Sequence, residues 1–391
     1  MILRIPEGSR QPLSLALAGL MIGMAWGCAS RHPVAVPGAL AGALDQVRRQ
    51  HAPDPHLNIF TVGIQRLGGS VTLTGCVDTV AARADAVAAA QATGVRVVDR
   101  IEVLPAPDLG EATWGLVNVS VASGREQPVN TAEMGTQILM GHPVRLWKQT
   151  GIWYLAQSAD RYLCWLPRGT VVRCTPAEID AWNTGPLLLV TAFDDCLREQ
   201  PRADAFPVAD VVLGCLVKHV ATEGDWFKVA TPDGQTGYLP VHAAADYATW
   251  KSTRQPTPEN IERTARSFMG RPYLWGGNSP RGLDCSGLTK LVFFLNGLDL
   301  DRNASHQRHQ GVEVALDPEF SQLRKGDLLF FGFRGGRGRP ERVTHTGIYL
   351  EDKLFIHASE RVRINSLDPN SSLRDMRRIR SLLGARHLLP Q

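Results

Sequence analysis

The stretch DCSGLTKLVFFLN, residues 284–296, decides the fold of the C-terminal third of the chain. Its apolar residues at helical spacing are Leu288, Leu291, Val292 and Leu295. This spacing predicts a helix with one buried face, which begins after the cap residue Asp284 and ends before Gly297. Cys285 therefore lies in the first turn, where unpaired backbone donors and the helix dipole favour a thiolate over a thiol.

Two histidines follow on stretches that alternate like strands, His345 in VTHTGIYL and His357 in KLFIHAS. These stretches predict an antiparallel hairpin that turns at residues 351–353. The register in which Leu350 pairs with Leu354 places both imidazoles on one face of the hairpin as diagonal neighbours. The sequence thus predicts that the two rings lie close enough to act together.

One thiol and two imidazoles are the set that a cysteine hydrolase needs. We predict that Cys285 attacks a carbonyl, that His345 transfers the proton and that His357 orients His345. Backbone N–H groups at the start of the helix are expected to stabilise the oxyanion. For each residue taken alone, the alternative is a buried structural thiol or imidazole.

Five sequence blocks occur in one order, namely YLWGG at 273, DCSG at 284, LRKGDLLFF at 323, HTGIYL at 345 and FIHAS at 355. Over residues 261–385 they resemble the NlpC-type peptidoglycan cysteine peptidases, whose core is papain-like. The resemblance implies a peptidase domain at 256–391. Together with the modules described below, it implies an α+β multidomain fold.

The composition limits the function classes. A chain of 391 residues predicts about three domains. Its net charge of +4 forms no dense basic stripe, which argues against nucleic acid as a partner. No CxxC pair occurs and no cluster of His and Cys has metal-ligand spacing, so we expect neither a metal nor another cofactor.

The N-terminus carries the pattern of an export signal. Two arginines precede an apolar run at 13–27 that suits the core of a signal peptide at 1–28. The AWGC that ends at Cys28 resembles the box at which bacterial lipoproteins are cleaved and acylated, although Ala25 stands where that box usually has leucine. The resemblance implies a lipoprotein anchored to the outer membrane of a Gram-negative envelope. The alternative is ordinary cleavage nearby, which leaves a soluble periplasmic protein.

Residues 29–105 predict a separate small module. ALDQVRR and TVAARADAVAAAQA predict helices, while NIFTVGIQR, GSVTLTGCV and VRVVDRIEVL predict strands, in the order αββαβ. The phrase VTLTGCV and the ending VRVVDRIEV resemble the BON domains of envelope proteins. The resemblance implies association with the envelope or with a phospholipid surface, and the alternative is a spacer with its own core.

An internal repeat fills the middle of the chain. Residues 141–167 align without a gap on residues 214–240. The residues that recur 73 positions later are Gly141, Trp153, Asp160 and Pro167. Short alternating strands with turns between them predict two small β barrels, at 112–174 and 175–250. They resemble bacterial SH3-like domains.

Seven cysteines are present, at positions 28, 76, 164, 174, 196, 215 and 285. In an oxidising compartment Cys164 pairs with Cys174, or Cys196 pairs with Cys215, and the sequence leaves the pairing open. Within the repeat, Cys164 stands where the second copy has Gly237, which marks either a packing contact or a disulfide.

Two SH3-like modules before such a peptidase narrow the resemblance to the endopeptidases that cut γ-D-glutamyl from meso-diaminopimelate or L-lysine. In that family the first SH3-like domain helps to close the cleft, so that the murein stem peptide needs a free N-terminal L-alanine. The matching positions of this chain are Glu133, Tyr162, Trp275, Asp284, Ser286 and Ser305. The resemblance assigns the carboxylates of Glu133 and Asp284 to the alanine ammonium, the hydroxyl groups to the same end of the peptide, and Trp275 to the pocket wall.

Two other functions fit the residues. A peptidase of the same type acts on intact peptidoglycan, for which acids that bind an amine are superfluous. A non-catalytic envelope anchor or wall-binding protein uses the barrels and the N-terminal module instead, and an intact Cys285, His345 and His357 argue against it. Taken without the family, Asp284 is a helix cap, Tyr162 a barrel residue and Glu133 a surface acid.

Overall fold

The structure is a computed structural model, and it describes residues 38–67, 70–336 and 338–390. The expected signal peptide and Cys28 lie outside the described residues. The helices are α1 (Gly38–His51), α2 (Val80–Gln91), α3 (Pro176–Asn183), α4 (Tyr247–Thr253), α5 (Pro258–Ser267), α6 (Cys285–Phe294), α7 (Ala304–Gln307) and α8 (Met376–Ser381). None of these helices is long and apolar enough to cross a bilayer.

The strands of the first 246 residues are β1 (Gly63–Leu67), β2 (Ser70–Val77), β3 (Arg96–Val103), β4 (Trp114–Val117), β5 (Val121–Arg125), β6 (Met134–Leu139), β7 (Pro143–Thr150), β8 (Trp153–Gln157), β9 (Leu163–Pro167), β10 (Val171–Cys174), β11 (Leu187–Val190), β12 (Asp194–Arg198), β13 (Pro207–Val212), β14 (Leu216–Glu223), β15 (Trp226–Ala230), β16 (Thr236–Pro240) and β17 (Ala244–Asp246). The remaining strands are β18 (Asn278–Ser279), β19 (Gly282–Leu283), β20 (Val312–Val314), β21 (Leu328–Phe333), β22 (Arg342–Tyr349), β23 (Leu354–Ser359), β24 (Arg361–Ser366) and β25 (Leu382–His387).

Residues 38–103 form the N-terminal module, and the predicted αββαβ order is confirmed. Strand β2 is central, with β1 antiparallel on one side and β3 parallel on the other. Thr79 precedes helix α2 and caps it, because its side chain accepts the N–H of Ala82. The module has its own core, built from Leu40, Leu44, Val47, Val71, Leu73, Val77, Ala82, Ala86, Ala90 and Ile101.

Residues 114–174 and 187–246 carry two seven-stranded sheets, the first and the second β unit. The first has the strand order β10-β4-β7-β8-β9-β5-β6, and the second has the matching order β17-β11-β14-β15-β16-β12-β13. Each strand of the second unit begins 73 residues after its counterpart, as Trp114 and Leu187 illustrate. The repeat predicted from residues 141–167 therefore extends over both units.

The two β units fill one core position in opposite ways. In the first unit Cys164 packs beside Gly124, where an added Cβ would stand 2.6 Å from the Cys164 sulfur. In the second unit the same positions hold Gly237 and Leu197, and a Cβ on Gly237 would stand 2.8 Å from the Cβ of Leu197. One larger and one small residue share the space in each unit, in exchanged places, so Cys164 marks a packing contact.

All six cysteines of the described residues are free thiols, so neither of the two disulfides considered from the sequence forms. Cys164 lies in the core of the first β unit, whereas Cys174 lies in a separate cluster under α3. Cys215 lies in the core of the second β unit, and Cys196 is only partly buried on β12. Different locations in the packing keep the members of each pair apart.

Helix α3 packs on the first β unit. Thr175 and Glu178 form a capping box at its start. Ile179 packs with Leu116 and Cys174 of the first unit. Trp182 of the same helix also packs with Leu187 and Leu216 of the second unit, so α3 lies between the two units.

The C-terminal domain packs a six-stranded sheet, of order β20-β25-β21-β22-β23-β24, against α5 and α6. Its core includes Ile261, Phe268, Leu288, Leu291, Val292, Phe330, Ile348 and Ile356. The predicted hairpin register is confirmed, with Leu350 bonded to Leu354. Asp352 and Lys353 in the turn have φ of +51° and +62°, as two-residue hairpin turns often require.

The first β unit packs on the loop that precedes α6. Gln137 accepts a hydrogen bond from the N–H of Asn278 at 3.0 Å. Gly276 has a φ of +73°, and a Cβ there would stand 2.2 Å from the carbonyl oxygen of Met134. Glycine is therefore required for this close approach, which brings β6 to the start of α6.

Candidate active site

A cleft of about 600 Å³ contains Cys285 and His345. Three parts of the chain line it. The N-terminal module and the first β unit contribute His56, Glu126, Gly135 and Tyr162. Lining residues of the C-terminal domain include Tyr273, Trp275, Asp284, Ser286, Ser305 and Arg378. Among the described residues, the lining includes none from the second β unit.

Cys285 is the first residue of α6 and is 8% exposed. Burial raises the pKa of its thiol to about 11, and the carboxylate of Asp284 acts in the same direction. Backbone N–H groups of Thr346 and Ser286 oppose this shift without outweighing it. Burial therefore favours the neutral thiol and opposes the helix start, which we expected to favour a thiolate.

His345 and His357 form a hydrogen-bonded chain that continues to Asn365. Nε2 of His345 lies 2.7 Å from Nδ1 of His357, and Nε2 of His357 lies 2.9 Å from Oδ1 of Asn365. The amide of Asn365 is oriented by its Nδ2, which donates to the carbonyl of Leu373 at 2.9 Å. Asn365 therefore presents an acceptor to His357.

This orientation fixes where each imidazole carries its proton. Nε2 of His357 donates to Asn365, so Nδ1 of His357 is an acceptor. Nε2 of His345 consequently donates to His357, and Nδ1 of His345 is left without a proton. His345 lines the cleft together with Cys285, and an unprotonated imidazole nitrogen is what a base for the thiol needs.

Burial keeps both imidazoles neutral. It lowers the pKa of His345 well below 6.5, and the charge of Arg378 adds to the effect. It lowers the pKa of His357 to about 4, against the opposing hydrogen bond to Asn365. The resting site thus pairs a neutral thiol with a neutral base, and the proton moves when the thiol attacks.

The carboxylate of Asp284 is paired with Arg302. Arg302 is 2% exposed, and its two terminal nitrogens contact the two carboxylate oxygens at 3.1 and 2.5 Å. The N–H groups of Gly276 and Gly287 donate to the same carboxylate at 3.1 and 2.7 Å. A bidentate arginine neutralises the carboxylate charge. Asp284 caps α6 and binds Arg302, so its carboxylate has no uncompensated charge left for the ammonium group that we expected it to bind.

Arg302 also joins Ser286 to the first β unit. It donates to Oγ of Ser286 at 2.9 Å and to Oγ1 of Thr136 at 3.1 Å. Across the same boundary Lys290 forms an ion pair with Asp160 at 3.0 Å. Helix α6, which carries Cys285, is thus tied to the first β unit by two polar connections.

Tyr162, Ser305 and Trp275 lie in the lining of the cleft, where the resemblance places them. Tyr162 is 3% exposed, and burial raises the pKa of its hydroxyl, which makes it a neutral donor. Gly135 lies against this hydroxyl, since a Cβ there would stand 2.8 Å from it. The exposed indole of Trp275 forms part of the rim.

The acid that the first β unit contributes to the lining is Glu126 and not the expected Glu133. Glu133 is exposed, and its carbonyl accepts the backbone N–H of Glu126 at 3.0 Å. The two glutamates therefore face each other where β5 ends and β6 begins. The site has a carboxylate at the expected end of the cleft, but the other strand supplies it.

A loop of the N-terminal module reaches the same end of the cleft. The ring of His56 stacks on Tyr162 with 5.4 Å between centroids, and its Nε2 lies 4.0 Å from the carboxylate of Glu126. Asp54 contacts Nε2 of His306 at 2.5 Å. Burial disfavours the Asp54 carboxylate, but hydrogen bonds from His306 and from the His56 backbone outweigh it and lower the pKa of Asp54. The loop closes one end of the cleft.

Sequence reasoning missed the site residues Asp54, His56, Glu126, Arg302, Asn365 and Arg378. A signal existed for Asn365, because His357 pairs with Arg363 on β24 and strand alternation puts the residue two positions later on the same face. Another existed for Arg302, which stands three residues before Ser305. Within the described ranges, no group of three or more His, Cys, Asp or Glu side chains is placed to hold a metal ion.

Residues 270–381 match the NlpC/P60 family and form an NlpC/P60 domain, which contains the chain from Cys285 to Asn365. Dipeptidyl-peptidase 6 of Lysinibacillus sphaericus is 29% identical over 271 residues, which cover 66% of this chain and 93% of that protein. The gamma-D-glutamyl-L-lysine dipeptidyl-peptidase of Bacillus cereus is 27% identical over 269 residues, which cover 67% of this chain and 77% of that protein.

Solved structures show the same similarity. An NlpC/P60 family protein from Bacillus cereus is similar with a TM-score of 0.58 and 25% identity, over 71% of this chain and 100% of that chain. An NlpC/P60 endopeptidase from Photobacterium damselae shares the fold with a TM-score of 0.50 and 15% identity, over 72% of each chain. These alignments cover much more of the chain than residues 270–381, so the similarity extends beyond the peptidase domain.

Proposed function

We propose that the protein is a cysteine peptidase that hydrolyses the bond from γ-D-glutamate to meso-diaminopimelate or L-lysine in murein stem peptides with a free N-terminal L-alanine. The observation that carries this proposal is the chain from His345 through His357 to Asn365, which leaves an unprotonated nitrogen in the cleft of Cys285. Relatives named as dipeptidyl-peptidases, one of them for gamma-D-glutamyl-L-lysine, support the class of bond.

The reaction begins when Nδ1 of His345 takes the thiol proton of Cys285 and the sulfur attacks the γ-carbonyl carbon of D-glutamate. The oxyanion forms beside the backbone N–H of Cys285, which has no other acceptor among the described residues. His345 then gives the proton to the nitrogen of the diamino acid as the C–N bond breaks, and a thioester remains. Water attacks the thioester and loses a proton to His345, which returns it to the sulfur as the γ-carboxyl group leaves.

The preference for a free amine follows from the closed end of the cleft. An ammonium taken from water needs acceptors and a compensating charge, and Glu126, Tyr162 and Ser305 offer them. An N-acetylated peptide brings no charge to Glu126 and needs extra room beside the stacked rings of His56 and Tyr162. A site built for a charged group rejects the analogue that lacks it.

We further propose that the two β units are SH3-like domains and that the N-terminal module is a BON-like domain that associates with the envelope. The matching strand order of the units and the αββαβ order of the module support these assignments. The sequence of residues 1–28 supports export, with Cys28 as the site of lipid attachment to the outer membrane of a Gram-negative cell. Radiolabelled palmitate incorporated by the wild type but not by Cys28→Ser, with the protein in the membrane fraction, is the expected result.

The activity is tested by mass spectrometry with L-Ala-γ-D-Glu-meso-diaminopimelate and its N-acetylated twin, using the wild type and Cys285→Ala. Cleavage of the free-amine peptide alone, and only when Cys285 is present, is expected. Cleavage of both peptides points instead to an endopeptidase of intact peptidoglycan. Cleavage of neither refutes the proposal and leaves a wall-binding protein.

A further inference from the structure

Arg378 in α8 is a buried arginine that forms no ion pair among the described residues, and the charge of Asp375 acts on it only from a greater distance. Three arginines of the described residues are buried, with exposures of 2% for Arg302, 9% for Arg308 and 8% for Arg378. Arg302 is paired with Asp284 and Arg308 with Glu313. Arg378 has no ion pair among the described residues, and its Nε has no hydrogen-bond partner. Burying a guanidinium without an acceptor costs free energy. An anion from outside the chain that binds Arg378 would offset this cost.

The guanidinium of Arg378 lies on the His345 side of the cleft. Its Cζ stands 5.8 Å from the centroid of the Phe331 ring, and that ring stands 5.7 Å from the His345 ring. Arg377 and Arg342 line the same cleft and add positive charge to it, while Glu360 in that lining is paired with Arg363. The acid from the first β unit, Glu126, lies with Tyr162 at the end where the peptide amine is proposed to bind. The cleft thus has an acidic end and a basic wall.

The basic wall receives the part of the substrate that leaves. His345 hands its proton to the nitrogen of the diamino acid, so that residue must lie next to His345 when the bond breaks. A diamino acid with a free C-terminus carries one α-carboxylate, and meso-diaminopimelate carries a second carboxylate on its side chain. Both groups are planar acceptors that fit the paired donors of an arginine.

We propose that Arg378 binds a carboxylate of the departing diamino acid and so directs cleavage towards peptides whose leaving residue is anionic. This contact rests on the peptidase function proposed above. The carboxylate supplies an ion-pair partner for Arg378, which among the buried arginines of the described residues is the one without such a partner. The same contact places the leaving nitrogen beside His345.

Binding of a carboxylate also strengthens the base. The charge of Arg378 is the foremost electrostatic contribution to the low pKa of His345, after burial. A carboxylate on Arg378 cancels that charge, which raises the basicity of His345 when a matching substrate is in place. A peptide without the carboxylate meets a weaker base.

The test compares Arg378→Gln with the wild type on three peptides, L-Ala-γ-D-Glu linked to L-lysinamide, to L-lysine and to meso-diaminopimelate. For each peptide the kcat/KM of the variant is divided by that of the wild type, which cancels differences in the leaving amine. For L-lysinamide the ratio is expected to be one or higher, because Arg378→Gln removes the charge that lowers the pKa of His345 and no carboxylate contact is lost. It falls about 30-fold for both acids if Arg378 binds the α-carboxylate, and for meso-diaminopimelate alone if it binds the side-chain carboxylate.

Arg380→Gln is the matched control, because Arg380 is exposed on the same helix and is not among the residues that line the cleft. It is expected to keep a ratio near one on all three peptides. Arg378→Gln is expected to leave the Tm unchanged or higher, since it removes an unpaired buried charge, whereas a structural role predicts a lower Tm. An equal loss on all three peptides, or no loss on any, overturns the proposal. A wild type that cleaves none of them refutes the peptidase function itself.

Discussion

The first and second β units share one strand order and differ in what they contact. The first lines the cleft with Glu126, Gly135 and Tyr162. The second meets the C-terminal domain away from the cleft, where Leu213 joins the core beside α6 and Arg281 forms exposed ion pairs. The two units thus have the same strand order and different roles. The first lines the cleft, and the second packs on the C-terminal domain outside the cleft.

The equivalent residues show where this division arises. Asp160 and Asp233 each accept a hydrogen bond from the hydroxyl two residues earlier, on Ser158 and Thr231, so the turn is retained in both units. The first-unit residues near the cleft and their second-unit counterparts are Tyr162 and Gln235, Gly135 and Val208, and Thr136 and Ala209. The frame is the same, and a few side chains at one edge give the first unit its role.

The largest expected contrast concerns the ionisation of Cys285. The thiol pKa is about 11. At any pH below this value, the thiolate fraction increases tenfold when the pH is raised by one unit. Alkylation by iodoacetamide should therefore accelerate about a thousandfold between pH 7 and pH 10. Tyr162→Ala opens the wall of the first unit, lowers the pKa and speeds the reaction at pH 7, whereas Gln235→Ala leaves it unchanged. A rate that is constant from pH 6 to pH 9 would show a thiolate paired with an imidazolium at rest.

Removal of the two equivalent aspartates should separate the units in stability. Asp160 is 8% exposed at its side chain and pairs with Lys290. Asp160→Ala leaves the mostly buried Lys290 without its acid and is expected to cost about 3 kcal/mol of unfolding free energy. Asp233→Ala removes only an exposed turn contact and is expected to cost about 1 kcal/mol or less. Urea unfolding followed by circular dichroism measures both, and equal losses would contradict the division.

Exchange of the residues at positions 162 and 235 tests the amine pocket. Tyr162→Gln removes a hydroxyl proposed to face the alanine ammonium, so kcat/KM for the free-amine peptide should fall about 30-fold. Gln235→Tyr makes the reverse change in the second β unit and should leave kcat/KM unchanged. The ratio of kcat/KM for the free-amine peptide to kcat/KM for the N-acetylated peptide should be smaller in Tyr162→Gln than in the wild type. Wild-type kinetics in Tyr162→Gln would show that Tyr162 does not contribute to the amine pocket.

The smallest expected effect belongs to Gly135. A Cβ there would stand 2.8 Å from the Tyr162 hydroxyl, which sits at the free end of a side chain and can shift. Gly135→Ala should therefore raise KM about fivefold through a displaced hydroxyl and change the Tm little. Val208→Ala, at the equivalent position of the second β unit, should leave KM unchanged. A large loss of Tm in Gly135→Ala would instead indicate a role in packing.

Local pattern was sufficient to predict the elements that carry the site. The apolar spacing and the Asp284 cap predicted α6, and alternation with a short polar turn predicted the hairpin and its register. The αββαβ order of the N-terminal module and the repeat were predictable for the same reason, because periodicity, turns and caps depend on neighbouring residues.

Contacts between distant segments were not predictable in this way. Arg302 bonds to Thr136, which is 166 residues away, and no local pattern announces such a pair. Glu126 and Glu133 flank one hairpin and face each other through a backbone hydrogen bond, so the sequence offered two acids and no means to choose the one that faces the cleft. The burial that makes Cys285 neutral likewise depends on how the domains pack, which the position of Cys285 in its helix does not reveal.

The chain of imidazoles ends on the carbonyl of Leu373, which orients Asn365. Because the last anchor is a main-chain oxygen, it survives every substitution of the half-exposed side chain at that position. Sequence drift at residue 373 should thus be tolerated, whereas an inserted or deleted residue between β24 and α8 would misplace the oxygen and release the amide. The tautomer of the catalytic base is therefore insensitive to the side chain at residue 373 and sensitive to the length of the loop that holds it.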